Sequence, residues 1–170
     1  MKRNGTYALN FHAPALVGRQ LTYLHGQQFA GRYVALCFLP YAGVLSAEII
    51  DGHSEQFDRV DATLLIVGSG PGPLHRLWTD QSEKPWTPVL VDPCGRLHRS
   101  FGVAVTEFPG RCHTFVIDRV GILRLRVSHD FVNGDMEALR KIVGLTQPRT
   151  IDPSGIGKVI ASVKSECLQS

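Results

Sequence analysis

Phe29-Ala30-Gly31-Arg32-Tyr33-Val34-Ala35-Leu36-Cys37-Phe38-Leu39-Pro40 is the stretch on which the fold turns. From Arg32 to Leu39 it is almost continuously apolar, opened by Gly31 and stopped by Pro40. A strand with one face in water would alternate apolar and polar residues. A short unbroken apolar run between Gly and Pro therefore marks a central strand covered on both faces. Cys37 lies inside this run and reads as a small core residue.

The pattern continues outward from that strand. Leu45 to Val60 changes to a helical period, with Ile49, Ile50 and Phe57 on one face and Glu48, Asp51, Glu55 and Asp58 left to solvent. Ala62 to Val67 is a second buried strand, closed by the Gly68-Ser69-Gly70-Pro71-Gly72 turn cluster. Pro73 to Thr79 is long enough for about two helical turns. Val89-Leu90-Val91 is a short strand, Asp92-Pro93-Cys94-Gly95 a turn, and Arg96 to Phe101 a short helix stopped by Gly102. Thr114 to Ile117 and Ile122 to Val127 form a hairpin across Asp118-Arg119-Val120-Gly121. Asn133 or Asp135 caps a helix from Met136 to Val143, with Leu139 and Ile142 inward and Gly144 as its end. On the other side, Gln20 to His25 is a weak strand, and residues 1 to 17 are a loosely held start in which Pro14 breaks the first extended stretch. Strands alternating with helices predict an α/β layered domain with a sheet at least partly parallel. That domain covers residues 1–147; residues 148–170 are a tail with a short helix expected over Ile156 to Val163.

Composition removes several function classes. The chain has 170 residues, 44% hydrophobic and 19% charged, which suits one domain with a single buried core. Net charge is +3 with signs interspersed, so no basic block is present to track a nucleic acid. No run reaches the roughly 18 apolar residues of a membrane helix. The first residues carry no apolar leader core, which makes a cytoplasmic location, with reduced thiols, the expectation. The cysteines are Cys37, Cys94, Cys112 and Cys167, none in C-x-x-C spacing, and the seven histidines are scattered singly. Neither a metal nor a cofactor is signalled.

Four ordered stretches carry a resemblance. They are Phe29 to Pro40; Glu48-Ile49-Ile50; Pro88-Val89-Leu90-Val91-Asp92-Pro93 with Gly95 and then Phe101-Gly102-Val103; and Thr114-Phe115-Val116-Ile117-Asp118-Arg119 with Gly121. The chain resembles the alkyl hydroperoxide reductase/thiol-specific antioxidant group, the peroxiredoxins, over about residues 10 to 145. The resemblance implies a thioredoxin-like, three-layer α/β sandwich around a central mixed sheet, redox chemistry toward a peroxide or a thiol partner, and a homodimer.

The family's catalytic motif is a Pro-x-x-x-Thr/Ser-x-x-Cys turn that sets a cysteine in the first turn of a helix. Partial positive charge at the helix end, with a nearby arginine, lowers the thiol pKa so that a thiolate attacks peroxide. Pro40 matches the proline, but Val44 stands at the Thr/Ser position and Ala47 at the cysteine position. A shift of one residue gives Ser46, whose hydroxyl has neither the acidity nor the redox chemistry of sulfur. Two losses in one motif argue against a single engineered replacement. The family's arginine register falls on Cys112, with Arg111 immediately before it. That loop faces the first helix in the implied fold. Cys112 is therefore either a relocated reactive thiol, aided by Arg111 and His113, or an inert buried one at a strand start. Cys94 is expected in an exposed turn, Cys167 in the tail, and His53 and His129 in solvent.

Three functions follow: a family member without standard peroxidase activity; an active thiol peroxidase that uses Cys112 or carries a replaced catalytic cysteine; and a non-catalytic binding or assembly subunit.

Overall fold

The computed structural model describes residues 1–18, 20–39, 47–69, 86–104, 111–130 and 133–147. Within them the elements are β1 (His12–Val17), β2 (Gln20–His25), a 3-10 turn (Gly26–Phe29), β3 (Tyr33–Leu39), α1 (Ala47–Asp58), β4 (Ala62–Ser69), β5 (Val89–Asp92), α2 (Arg96–Phe101), β6 (Cys112–Ile117), β7 (Leu123–His129) and α3 (Asn133–Thr146). The helix expected over Pro73 to Thr79 and the tail helix lie outside the described residues.

The seven strands make one sheet in the order β2-β1-β5-β4-β3-β6-β7. β3 runs parallel to β4, and β4 to β5, while β6 and β7 add antiparallel beyond β3. The sheet is mixed, as the strand–helix alternation predicts. β3 lies between β4 and β6, and all seven of its residues are buried. Successive side chains point to opposite faces. Tyr33, Ala35, Cys37 and Leu39 therefore join one apolar cluster with Ile50 and Phe57 of α1 and Met136, Leu139 and Val143 of α3. Val34, Leu36 and Phe38 join the other, with Leu97 and Phe101 of α2 and the N-terminal Ala8, Leu9 and Phe11. Two helical layers thus enclose the sheet.

The start of the chain is a correction to the sequence reading. Ala8 and Leu9 are fully buried, and β1 pairs with both β2 and β5. Pro14 is tolerated inside β1 because pairing with β5 is confined to Ala15 and Leu16. A second correction concerns Gly144, which does not end α3: the helix runs on to Thr146. The Tyr33 hydroxyl donates to the Thr146 carbonyl at 3.0 Å. A partner for this late carbonyl offsets the roughly 1 kcal/mol that an exposed helical glycine costs. α1 departs in detail as well. Asp51 does not simply face water, since its carboxylate accepts bonds from Trp86 N, Thr87 N and Thr87 Oγ1 at 2.7–3.1 Å.

α2 is fixed from outside its own sequence. Asp92, at the end of β5, accepts from His98 N at 2.8 Å and from His98 Nδ1 at 2.7 Å through one oxygen. Both residues are buried. Burial works to raise the Asp92 pKa, but these bonds, with a further one from the Leu97 backbone, hold it below its usual value.

Candidate functional site

Of the positions singled out in the sequence, Pro40, Val44 and Ser46 lie outside the described residues, as does Cys167. Ala47 is the first residue of α1 and is buried. Cys112 is the first residue of β6 and is 4% exposed. Cys112 and Cys37 belong to one apolar cluster with Ile50 and Phe57 of α1, on the sheet face that α1 and α3 cover. α1, at whose start the family motif would set its cysteine, thus packs on the sheet face that holds Cys112.

Arg111 and His113 do not both join Cys112. Arg111 is exposed, with its Nε 3.7 Å from Oδ1 of Asp130, a pair more than half open to solvent. His113 is the next residue along an extended strand and so belongs to the opposite face. Its Nδ1 lies 2.7 Å from Ser128 Oγ, and burial is the main cause of its lowered pKa.

Cys112 instead has neighbours on both sides of β6. The β3–β6 register places Cys37 opposite Thr114, two residues along from Cys112 and on the same face. On the other side, Cys112 pairs directly with His129 of β7. The Cys37 thiol donates toward Cys112, which is the main cause of a Cys112 pKa below the usual thiol value. Burial and Asp130 oppose this shift, and Arg111 assists it. Cys37 is pushed well up by the same hydrogen bond, then by burial and by the negative charge of Cys112, with Thr114 acting in the other direction. One thiol of the pair is made more acidic because its neighbour stays protonated.

A polar chain continues behind Cys37. Thr114 Oγ1 is 2.7 Å from His129 Nε2, and His129 Nδ1 is 2.8 Å from the Asp130 carbonyl oxygen. A carbonyl only accepts, so Nδ1 carries the hydrogen and the neutral ring accepts from Thr114 through Nε2. Thr114 is fully buried and His129 is 4% exposed. The expectation of a solvent-facing His129 is thus corrected. The residue closes a β-strand whose odd-numbered side chains point inward, a parity that the polar Ser128-His129-Asp130 context hides. Sequence reading placed Thr114 on a strand but gave it no part in the site; its signal for one is its place two residues after Cys112 on that strand. Cys94 is exposed, as expected from its turn, and His53 is half-buried on α1.

Among the described residues no group of three or more histidine, cysteine or acidic side chains is arranged to hold a metal ion. No described helix is long and apolar enough to cross a membrane.

Comparison with known proteins follows the same line. No family model matches the chain. It is 35% identical over 114 residues to alkyl hydroperoxide reductase E of Mycobacterium tuberculosis, an alignment covering 62% of this chain and 72% of the relative. A thioredoxin peroxidase of Fasciola hepatica is 30% identical over 147 residues, covering 78% of this chain and 75% of the relative. In fold, AhpC of Mycobacterium bovis superposes with a TM-score of 0.70 at 18% identity, over 91% of this chain and 97% of that one. AhpC of Enterococcus faecalis gives 0.69 at 19% identity, over 86% and 93%.

Proposed function

Since the chain belongs to the peroxiredoxin family, we propose that it is a thiol-redox protein whose peroxide-reactive group is Cys112 rather than a cysteine at the start of α1. Ala47 occupies the position where the family motif calls for the catalytic thiol, and residues 40–50 contain no cysteine. Standard peroxidase chemistry at that helix end is therefore absent. The observation that carries the reading is the Cys112 thiol itself. It lies on the sheet face that α1 covers, is made more acidic by the Cys37 hydrogen bond, and keeps a little exposure where Cys37 has none. A thiolate is the nucleophile toward a hydroperoxide, so a lowered pKa at a reachable sulfur is the property required.

The reaction is two-electron. The Cys112 thiolate attacks the outer oxygen of a hydroperoxide, the O–O bond breaks, an alcohol or water leaves after taking up a proton, and Cys112 becomes a sulfenic acid. Trapping that acid with a cyclic diketone and mapping the adduct by mass spectrometry tests the reading. An adduct on Cys112, lost together with hydroperoxide consumption in Cys112→Ser, is the expected result. Undiminished consumption by Cys112→Ser would overturn it. By family the partner is a second copy of the chain, for which a dimer mass in light scattering is the test.

A further inference from the structure

We propose that Cys37 and Cys112 form one redox site, in which a hydroperoxide drives a reversible disulfide between β3 and β6 and the Thr114–His129 pair takes up the Cys37 proton. This rests on the reading of Cys112 as the peroxide-reactive thiol and adds its partner and its proton path.

The order of events follows from accessibility. Cys37 has no exposed surface, whereas Cys112 has 4%, so an incoming oxidant meets Cys112 first. While Cys112 is a thiolate, Cys37 donates to it and stays protonated. Oxidation to the sulfenic acid removes that charge and with it the main force holding the proton on Cys37. Among the described residues, Thr114 is the polar side chain directly opposite Cys37 across the β3–β6 ladder. Its hydroxyl donates to His129 Nε2, which leaves the lone pairs of its oxygen for the Cys37 proton once that thiol no longer donates to Cys112. A proton passing from Cys37 to Thr114 Oγ1, and from Thr114 to Nε2, leaves a Cys37 thiolate and a protonated imidazole held by the Asp130 carbonyl. The thiolate attacks the Cys112 sulfur. The S–O bond breaks as the S–S bond forms, and the leaving hydroxide takes the imidazole proton to become water. The sum is two thiols and one hydroperoxide giving a disulfide, an alcohol and water.

The geometry also sets the character of the disulfide. Diagonal neighbours on adjacent antiparallel strands have Cα atoms about 7–8 Å apart, and a disulfide needs about 4.4–6.8 Å. Closure therefore requires a shift on the order of an ångström. Cys112 can supply it, because the β3–β6 pairing ends at His113 and Cys112 lies just beyond. A disulfide closed against such a shift is strained and readily reduced, which makes it a reversible site and not a structural staple.

The experiment uses the full chain with Cys94→Ser and Cys167→Ser, so that only the two thiols in question remain. After stoichiometric hydroperoxide, thiols are blocked in acid and peptides are mapped. A Cys37–Cys112 cross-linked peptide that a small dithiol reverses is expected. Cys37→Ser should stop at a Cys112 sulfenic acid that forms no faster than in the parent but persists, so that the diketone adduct at the end of the reaction exceeds the parent's and no cross-linked peptide appears. Cys37→Ala, checked for native circular dichroism, repeats this in case the serine hydroxyl unsettles the core. Thr114→Val should slow disulfide closure more than it changes sulfenic acid formation, both rates being measured in the same variant, a split that general loosening of the core does not produce. Cys112 sulfenic acid without any Cys37 cross-link would overturn this proposal and leave the reading of Cys112 standing. Absence of Cys112 oxidation in every variant would overturn both.

Discussion

Thr114→Val separates hydrogen bonding from packing at the centre of the site. Valine matches threonine in shape and replaces the hydroxyl by a methyl group. Thr114 is fully buried, so the change is felt entirely inside the protein. His129 Nε2 then loses its donor at 2.7 Å and faces a methyl group in a site that is 4% exposed. Leaving one buried acceptor unpaired costs about 1–3 kcal/mol. For a domain of this size each kcal/mol shifts Tm by roughly 2–4 °C, so a cost of about 2 kcal/mol lowers Tm by about 4–8 °C. Thr114→Ser is the control. It keeps the hydroxyl and deletes one methyl group, a loss of about 1 kcal/mol. Urea unfolding of reduced protein, with m-values confirmed equal, measures both. The valine variant should be the less stable of the two although it conserves volume better. If the serine variant is the weaker, packing and not the polar chain governs this position, and the assignment of His129 Nε2 as an acceptor from Thr114 is wrong.

Asp92→Asn should destabilise the protein by about 2–3 kcal/mol near pH 7, because the buried His98 donors lose a charged acceptor. The folded-state pKa of Asp92 is depressed. Its stabilisation is therefore complete above the unfolded value of about 3.9 and is lost as pH falls through the folded value. The gap between wild type and variant, followed by urea unfolding, should close below about pH 4. At the β6–β7 turn, Asp118 Oδ1 accepts from Val120 N and Ile122 N at 3.0 and 2.9 Å. Asp118→Ala should cost about 1–2 kcal/mol, with the Arg124 pair contributing little because that arginine is half exposed. Gly121→Ala should be more damaging: φ is +85° there and a methyl group would run into the Tyr7 ring. A thermal melt that places it above Asp118→Ala would contradict the contact. Arg111 lowers the Cys112 pKa and Asp130 raises it. Arg111→Ala should therefore slow alkylation of Cys112 at neutral pH, and Asp130→Asn should speed it. Each change should be no more than about fivefold, as suits a solvent-screened pair. Equal and unchanged rates would remove both side chains from the account.

Burial and period made the sheet readable in the sequence. β3 and the Leu64–Val67 centre of β4 are unbroken apolar runs, so their assignment needed no knowledge of what they pair with. β2 was legible to its ends, Gln20 and His25. β1 was not, because its apolar residues flank a proline and its place in the sheet depends on β5, some 70 residues away in sequence. The end of α3 failed for a related reason. Gly144 is a local stop signal, and the group that overrides it, the Tyr33 hydroxyl, is 113 residues distant from Thr146. The site divides in the same way. Ala47 and Cys112 were marked by comparison with a motif. Cys37 was read as a core residue, which its burial supports, yet what it touches is fixed by the β3–β6 register. His129 was hidden by its polar neighbours. Local sequence gives each of these residues a strand and a face, while pairing between distant strands decides which of them meet.

On the reading of Cys112 as the peroxide-reactive thiol, the pairing also changes what makes that thiol acidic. A cysteine in the first turn of α1 would draw on the helix end, a field that persists whatever happens to the sulfur. Cys112 draws mainly on a hydrogen bond from a second thiol, with Arg111 a minor aid opposed by Asp130. In the proposed disulfide both sulfurs are consumed together, and this source returns only when a reductant restores both thiols. The acidity of Cys112 is thereby tied to Cys37 being a protonated thiol, whereas that of a thiol at a helix end has no such dependence. Cys37→Ala should accordingly raise the pH at which Cys112 reacts half-maximally with an alkylating reagent, since it removes the largest lowering influence and leaves burial and Asp130 in place. A pH profile identical to wild type would show that the acidity of Cys112 comes from elsewhere and would break the link between the two cysteines at its first step.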